Sequence, residues 1–350
     1  MAIDEAAAGD DGLIDPDALA GWLRANVPWL HGPFTLRRIG EGQSCLTYQV
    51  DGGGWSAVLR RPPRGELPAG AFDVLREYRI IDALHRGGAA VPVPEPYGAC
   101  DDLSVLGAPF YLMARTEGAV LRDTLPEGTT DAQLHALGDA LVTTLVALHE
   151  TPADAVGLSD LGRPDGFLER QLRRMQEQWE NVRVRDVPEI GELGRLLAAS
   201  VPSSAHSGLL HGDFKLDNLV VGLPDSADVR AVLDWELSTL GDQLADLGWL
   251  LYFWLDPGEE PFAIPVSSVT DHPALPTRAG LVERYAAATG RDVDAVAWYT
   301  GFGGWKITII METSYQRFLR GIGDHPTFAL LEAGVHHMAR RALELYRDPA

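Results

Sequence analysis

The segment "LLHGDFKLDNLVV", residues Leu209–Val221, places a cluster of polar side chains between two apolar runs. The β-branched run "NLVV" at its end is followed by the polar turn "GLPDSAD" and by a second such run, "VRAVL". This pattern predicts a β-hairpin, whose two outer ends lie side by side. Asn218 lies at the outer end of one strand and Asp234 at that of the other. The sequence therefore predicts that these two side chains meet.

An amide oxygen beside a carboxylate suits Mg²⁺, which takes few protein ligands and keeps water and phosphate oxygens as the rest. The loop before Asn218 also presents Asp213, whose carboxylate can accept a proton from a substrate hydroxyl. His211, Asp213 and Asn218 have the spacing of a kinase catalytic loop. Asp234 follows the hairpin as the metal-binding Asp of kinases does, here in "DWE". These residues indicate phosphoryl transfer.

The composition excludes several other classes of protein. The chain has 350 residues, of which 50 are acidic and 29 basic, so its formal net charge is −21. This charge disfavours nucleic acids and anionic membranes as partners and favours a small molecule, while homodimerisation is left open. Only Cys45 and Cys100 are present, and the acidic N-terminus lacks the features of a signal peptide. Both observations predict a cytoplasmic protein.

The chain divides into three predicted regions. Residues 1–33 form a tail and a short helix, and residues 34–116 alternate strands and turns around one main helix. Residues 117–350 are mainly helical, beginning with a long helix for which Asp131 is the predicted N-cap. A Pro-rich stretch at 256–277 is predicted to be a functional or disordered loop. The pattern as a whole predicts an α+β fold with a small β-rich lobe and a larger helical lobe.

A family resemblance follows from two motifs, "HGDFKLDN" and "LDWELSTLGDQLADLGWLL". Together they resemble the aminoglycoside phosphotransferase / choline kinase-like family, whose members are small-molecule kinases with a two-lobed, protein-kinase-like fold. "REYRII", "VPVPEPYG", "GAPFYLM" and "WKITIIMETSYQRFLRG" are similar to the branch associated with acyl-CoA dehydrogenases. The resemblance implies ATP and Mg²⁺ as cofactors and a hydroxyl group as the acceptor. An aminoglycoside, a hydroxyacyl-CoA or another metabolite would supply that hydroxyl.

The resemblance also assigns roles to residues. It implies Asp213, Lys215 and Asn218 as catalytic residues, with Asn218 and Asp234 as metal ligands. His211 and Asp217 would support the loop, and Asp246 would tie it to a helix. Eight residues of the smaller lobe would bind the nucleotide: Gly42, Gln43, Ser44, Arg60, Glu77, Met113, Arg115 and Thr116. Arg60 takes the place of the phosphate-binding lysine and should pair with Glu77, while the backbone of Arg115 and Thr116 would contact adenine.

Plainer interpretations stay open beside these. In these interpretations Gly42 belongs to an ordinary turn between strands. Lys215 and its neighbouring aspartates form an exposed ion pair, which contributes little to stability. A protein with this fold could bind nucleotide without catalysis. A metal-dependent hydrolase would instead use His211, Asp213 and Asp234 as ligands, although the ten histidines show no HxH or HxxxH spacing. Four residues of the C-terminal region are candidates for the acceptor pocket or else for a helical core: Trp298, Trp305, Tyr315 and Arg317.

Overall fold

The structure, a computed structural model, describes residues 12–39, 45–63, 73–203, 206–262, 266–322 and 327–348. The chain forms two compact units. The N-terminal unit comprises Met1–Gly88, Pro92–Glu117 and Leu233–Glu236, and the C-terminal unit comprises Ala89–Val91, Gly118–Val232 and Leu237–Ala350. The first is built on a sheet and the second mainly on helices, so the predicted α+β fold is confirmed.

The N-terminal unit is built on one antiparallel sheet, with strand order β1-β2-β3-β5-β4. Its elements are α1 Pro16–Asn26, β1 Phe34–Ile39, β2 Leu46–Gly52, β3 Trp55–Arg61, α2 Val74–Arg86, β4 Pro96–Cys100, α3 Leu103–Leu106 and β5 Phe110–Ala114. Around "DGGG" the chain forms a hairpin between β2 and β3, in which Gly52 pairs with Trp55. The segment "VPVPEPYG" leads into β4. Proline is tolerated there because Pro96 begins a strand at the sheet edge.

Helix α1 packs its apolar face on this sheet. The side chain of Asp15 accepts hydrogen bonds from two backbone N–H groups of the first turn, and Pro16 occupies the first helical position. Leu19 and Leu23 are buried in the same core as Phe110. Because the sheet supplies this core, the short helix belongs to the N-terminal unit and is more than a tail.

The C-terminal unit contains seven of the longer helices that the structure describes, and two small sheets. Its elements are α4 Asp131–His149, α5 Phe167–Val182, α6 Pro188–Ala199, β6 Ser207–Leu210, β7 Leu219–Val221, β8 Val229–Val232, β9 Thr239–Asp242, α7 Leu244–Phe253, α8 Arg278–Thr289, α9 Val296–Leu319 and α10 Thr327–Arg347. β6 pairs with β9, and β7 pairs with β8, both antiparallel. The hairpin predicted from the opening segment is therefore confirmed. Within the described residues, no helix is both long enough and apolar enough to cross a lipid bilayer.

Two details of this unit differ from the expectation. The N-cap of α4 is Thr130, whose hydroxyl accepts from the N–H of Gln133 while the Gln133 side chain accepts from Thr130 N–H. This capping box satisfies two donors, which Asp131 in the first turn could not do. The predicted loop at 256–277 contains a short 3-10 helix, Val269–Asp271, and its Pro276 carbonyl accepts from the indole of Trp254. Its described residues are thus tied to the helical core.

Helices α7 and α9 pack closely, because Gly248 lacks a side chain at their contact. A Cβ atom on Gly248 would lie 2.3 Å from the carbonyl carbon of Tyr299. This close approach matters for the site described below, since α7 carries Trp249, which contacts Asp213, and α9 carries Lys306, which contacts Trp249.

Candidate active site

The loop between β6 and β7 carries the predicted catalytic residues of the C-terminal unit. The chain turns sharply at Gly212, which has φ +84°. A Cβ atom at this position would lie 2.5 Å from the carbonyl oxygen of Leu237. Only glycine meets both conditions at low cost, so the middle residue of "HGD" is required by the backbone. A 3-10 turn at Leu216–Asn218 then leads into β7.

Asp246 at the start of α7 holds this loop in place. Its two carboxylate oxygens accept hydrogen bonds from the backbone N–H groups of His211 at 2.7 Å and Gly212 at 2.8 Å. Burial by itself would raise the pKa of Asp246, but hydrogen bonds and the nearby His149 and His211 lower it. The predicted tie between helix and loop is confirmed. His211 is fully buried and accepts the N–H of Asp213 on its ring, as a supporting residue would.

Both carboxylate oxygens of Asp213 are held by side-chain donors. The indole Nε1 of Trp249 donates to Oδ1 at 2.7 Å, and Nδ2 of Asn218 donates to Oδ2 at 2.7 Å. Lys215 Nζ lies 3.8 Å from Oδ2. A carboxylate oxygen has two lone pairs, so each oxygen retains capacity to accept a proton from a further donor. The arrangement fixes the orientation of a partly accessible carboxylate, which is what a general base needs.

Lys215 lies between two carboxylates of the same loop. Its Nζ is 3.0 Å from Oδ2 of Asp217, nearer than to Asp213. Asp217 therefore positions the ammonium group, in agreement with the supporting role expected for it. The Lys215, Asp213 and Asp217 side chains are each partly accessible, so the ammonium could reach an anionic substrate group.

Asn218 directly precedes β7, whose first residue Leu219 pairs with Val232 at the end of β8. Asp234 follows Val232 by two positions but falls in the N-terminal unit. The expected meeting of Asn218 with Asp234 therefore stays a prediction. Asp234 has φ +64° and is the one non-glycine residue with positive φ in the described parts of the chain. Such backbone strain is common at functional sites.

The N-terminal unit brings together three of the predicted residues, which we call the Arg60 cluster: Arg60, Glu77 and Asp234. Arg60 Nη1 lies 2.9 Å from Glu77 Oε1, and Arg60 Nη2 lies 3.6 Å from Asp234 Oδ1. The ion pair expected between Arg60 and Glu77 is thus present. Glu77 Oε1 also accepts the backbone N–H of Trp235 at 3.3 Å. Arg60 and Glu77 are both buried.

The Arg60 cluster leaves buried polar atoms without hydrogen-bond partners among the described residues, in particular Arg60 Nε and Asp234 Oδ1. Burial raises the pKa of Glu77 to about 7, and Asp234 adds to the rise while Arg60 opposes it. Buried polar atoms are usually satisfied, so an orphaned set in one place is a sign of a binding site.

The other predicted nucleotide-binding residues are placed as follows. Met113 is buried in β5. The N–H of Arg115 donates to the carbonyl of Ser56 at 3.3 Å, which leaves the Arg115 carbonyl and Thr116 as the backbone groups for the expected adenine contact. Gly42, Gln43 and Ser44 lie outside the described residues.

The aromatic candidates for the acceptor pocket belong largely to helix packing. Trp298 and Trp305 are buried, and their indole N–H groups donate to the carbonyls of Leu197 and Ile190. Tyr315 is buried under the guanidinium of Arg185, whose carbon lies 4.2 Å from the ring centroid. Arg317 is exposed at the end of α9. The helical-core interpretation therefore holds for the three aromatic residues.

Sequence reasoning missed Trp249, which the structure places directly on Asp213. The motif "ADLGWLL" offers a faint signal for it, because Trp249 follows Asp246 by one helical turn on α7. Residues three apart share a helix face, so the residue that braces the loop and the one that contacts Asp213 project the same way.

The oxygen donors available for a divalent cation are few. Across the described ranges, no group of three or more His, Cys, Asp or Glu side chains is arranged to hold a metal ion. The amide oxygen of Asn218 accepts no hydrogen bond from those residues, and Asp234 Oδ1 has no hydrogen-bond partner there. Each of these two oxygens is, taken by itself, of the kind that Mg²⁺ accepts as a ligand.

Comparison with known proteins relates this site to a family. Residues 35–299 match the phosphotransferase enzyme family. The chain is 32% identical over 340 residues to acyl-CoA dehydrogenase family member 11 of Rattus norvegicus, which covers 95% of this chain and 43% of the relative. It is 32% identical over 318 residues to family member 10 of Mus musculus, covering 90% of this chain and 29% of the relative. The chain therefore spans less than half the length of these relatives.

Solved structures show the same fold. A candidate aminoglycoside phosphotransferase from Ralstonia eutropha superposes with a TM-score of 0.81 and 30% identity, over 95% of this chain and 98% of that one. A thermostable mutant of aminoglycoside phosphotransferase APH(4)-Ia, in a ternary complex with AMP-PNP and hygromycin B, gives 0.60 at 16% identity, over 93% and 98%. The second likeness concerns the fold alone. The expected kinase-like fold of the aminoglycoside phosphotransferases is confirmed.

Proposed function

Because the chain belongs to the phosphotransferase enzyme family, we propose that it transfers the γ-phosphoryl group of ATP to a hydroxyl group of a small molecule. The observation that carries the proposal is the setting of Asp213. Its carboxylate is oriented by an indole N–H and an amide N–H, on a loop that Asp246 braces through two backbone hydrogen bonds. A fixed carboxylate beside a lysine is what in-line transfer to a hydroxyl requires.

In the proposed reaction the bond between the γ-phosphorus and its bridging oxygen breaks, and ADP leaves. The acceptor oxygen forms the new bond to phosphorus, and its proton passes to Asp213. Lys215, held by Asp217 at 3.0 Å, neutralises charge on the transferring group. Arg60 keeps its charge and has a donor to offer the phosphates, because its Nε has no hydrogen-bond partner among the described residues, while Nη1 and Nη2 face Glu77 and Asp234.

Asn218 and Asp234 are the residues that we propose to hold Mg²⁺. When bound, the cation would draw negative charge from the phosphate oxygens. Asp234 Oδ1, which accepts no hydrogen bond from the described residues, and the amide oxygen of Asn218 support this role. Asn218 would then serve twice, because its amide nitrogen orients Asp213 while its amide oxygen remains for the cation.

For the acceptor we favour the hydroxyl of a metabolite, in particular a hydroxyacyl-CoA, over that of an aminoglycoside. The relatives named as acyl-CoA dehydrogenase family members support this choice, since the chain matches part of their length. The similarity to aminoglycoside phosphotransferases supports the reaction type and does not select the acceptor.

The test is ADP formation from ATP and Mg²⁺ across a panel of alcohols, amino sugars and hydroxyacyl-CoAs. Asp213→Asn should reduce transfer by about 1,000-fold or more, because the base is lost while the shape is kept. ATP with Mg²⁺ should still raise the melting temperature of this variant. The matched control is Asp225→Asn, which changes an exposed aspartate of the β7–β8 turn and should be fully active.

Two outcomes would contradict the proposal. If Asp213→Asn transfers phosphate at the wild-type rate, Asp213 is not the base. If the wild-type protein is stabilised by ATP with Mg²⁺ yet forms no ADP with any acceptor, the chain is a nucleotide-binding protein without catalysis.

A further inference from the structure

The chain contains only two lysines, Lys215 and Lys306, although Lys and Arg together number 29. Both lysines lie against one pair of aromatic rings in the C-terminal unit. Lys306 Nζ is 5.1 Å from the ring centroid of Trp249, and Lys215 Nζ is 5.4 Å from that of Phe253. The two rings are in contact, with centroids 5.3 Å apart. The lysines thus lie at the two ends of one aromatic surface.

Trp249 links this surface to the proposed base. Its indole Nε1 donates to Asp213 Oδ1 at 2.7 Å, while its ring contacts the ammonium of Lys306. Trp249 is itself buried, so the indole has little freedom to turn. One rigid side chain therefore sets the position of the carboxylate and supports the lysine.

Lys306 differs from Lys215 in its lack of an anionic partner. Lys215 has Asp217 at 3.0 Å. Lys306 is only partly accessible, yet it makes no hydrogen bond or ion pair with any residue that the structure describes. In a chain with a net charge of −21, an ammonium group without a carboxylate partner is unusual. Its loss of hydration is a cost that only the Trp249 ring and the more distant charges of Asp213 and Asp246 offset among the described residues.

The surroundings of Lys306 are electrostatically mixed. Burial lowers the pKa of Lys306 and the charge of Arg174 lowers it further, whereas Asp213 and Asp246 raise it. Lys306 and Arg174 both add positive charge near Asp213, the proposed base, although the protein as a whole is strongly acidic. An acceptor with amino groups would be repelled by them, and one with a carbonyl or carboxylate oxygen would be attracted.

We propose that Lys306 is a specificity-determining residue, which donates a hydrogen bond from its ammonium group to a carbonyl or carboxylate oxygen of the acceptor. The inference rests on the proposed function and names the feature that the acceptor must carry beside its hydroxyl. Lys306 would hold that oxygen from over the Trp249 ring, while the hydroxyl faces Asp213 at the Nε1 edge of the same ring. Hydroxycarboxylic acids and their thioesters fit this description, and amino sugars do not.

The test compares Lys306→Met with the wild-type protein on a panel of acceptors. The panel contains hydroxycarboxylates with the hydroxyl on the second, third or fourth carbon, their CoA thioesters, alcohols of equal chain length, and glucosamine. Lys306→Met should raise KM for the oxygen-bearing acceptor by about 10-fold to 100-fold. KM for the plain alcohols, which lack this oxygen, should change much less than KM for the oxygen-bearing acceptor. Carboxylates and thioesters are tested separately, so the data also show whether Lys306 recognises a carboxylate oxygen or a thioester carbonyl oxygen.

Two control variants separate recognition from folding. Lys306→Arg keeps a cationic donor and should restore most of the affinity. Arg320→Met removes an exposed charge at the end of the same helix and should leave KM unchanged. Calorimetric binding of the CoA thioesters, which needs no turnover, provides a second measurement on each variant.

The outcomes distinguish this inference from the proposed function. Equal KM and equal affinity of Lys306→Met and wild type across the panel would overturn the role of Lys306. If no acceptor is phosphorylated but the thioesters bind and Lys306→Met weakens that binding, the recognition role stands and the phosphotransfer does not. A wild-type protein that neither binds nor phosphorylates any oxygen-bearing acceptor of the panel overturns both.

Discussion

Two clusters in which buried arginines contact a glutamate differ in how fully their polar atoms are paired. In the Arg60 cluster, Arg60 pairs with Glu77 through one 2.9 Å contact and leaves several polar atoms unpartnered. A second cluster, the Arg278 cluster, consists of Arg278, Arg341 and Glu259 in the C-terminal unit. Arg278 binds both carboxylate oxygens of Glu259 at 2.6 Å, and Arg341 adds a third contact at 3.1 Å.

The pKa shifts of the two glutamates have opposite signs. Burial raises the pKa of Glu77 to about 7. Burial would also raise the pKa of Glu259, but hydrogen bonds from Arg278 and from the Asp256 N–H, with the charges of both arginines, lower it to about 2. In the Arg278 cluster, only Arg278 Nε is left without a partner by the described residues. A satisfied cluster stabilises the fold, whereas an unsatisfied one is prepared to receive a ligand.

Among substitutions in these two clusters, the largest effect is expected at Asp234, the member of the Arg60 cluster with positive φ. Asp234→Asn should lower turnover by about 100-fold or more, because a proposed metal ligand loses its charge. The melting temperature should change little, since Asn tolerates the left-handed conformation that Asp234 adopts at φ +64°. Asp234→Ala should lower turnover by the same factor as Asp234→Asn. It should lower the free energy of unfolding by about 1 kcal/mol more than Asp234→Asn does. Equal melting temperatures for the two variants would show that the backbone is not strained.

A matched pair of substitutions compares the two clusters directly. Arg60→Lys should reduce turnover about tenfold, because lysine lacks the forked donors that bind phosphate, and stability should change little. Arg278→Lys should leave turnover intact and lower the free energy of unfolding by about 1 kcal/mol, as the bidentate pair with Glu259 is lost. Steady-state kinetics and urea unfolding on both variants are the measurements. A reversed pattern would mean that the roles of the clusters are exchanged.

The smallest expected effect is the contribution of Glu259 to the pH dependence of the free energy of unfolding. Its folded pKa of about 2 is below the ordinary 4.5, so the unfolded chain takes up this proton first as pH falls. The stability that the ion pair of Glu259 with Arg278 contributes is fully present above pH 4.5, and it is lost as pH falls toward 2. Glu259→Gln should lower the free energy of unfolding by about 1 kcal/mol at pH 7, since Gln keeps one acceptor oxygen. In urea titrations the difference should shrink below pH 4.5, and a difference independent of pH would contradict this assignment.

Local structural patterns were predictable from the sequence, whereas the chemistry assigned to them stays a prediction. The β7–β8 hairpin follows from β-branched runs around a polar turn, and Asp213 follows from motif spacing. The prediction of Asp131 as the N-cap of α4 was wrong, because Thr130 and Gln133 form a reciprocal pair of hydrogen bonds there. Both the hairpin and the helix cap are formed by residues that are close in the sequence, so both are accessible to prediction from the sequence.

Contacts between distant residues were beyond sequence reasoning. Trp249 and Lys306 lie on different helices, and they come together with Asp213 only because α7 and α9 pack closely at Gly248. Trp298 and Trp305 are equally aromatic and carry the same N–H donor, yet theirs bind backbone carbonyls. Which indole reaches a catalytic group is decided by helix packing, for which a single sequence has no periodic signal.

The measurement that tests the central claim most directly is the transfer of an isotopically labelled γ-phosphoryl group from ATP. The wild-type protein, Asp213→Asn and Asp225→Asn are each incubated with labelled ATP, Mg²⁺ and the acceptor panel, and the products are analysed by mass spectrometry. We predict labelled phosphomonoester, equal in amount to ADP, from the wild type and from Asp225→Asn, with none from Asp213→Asn. Label found only in inorganic phosphate, or equal amounts of phosphomonoester from all three proteins, would contradict the account.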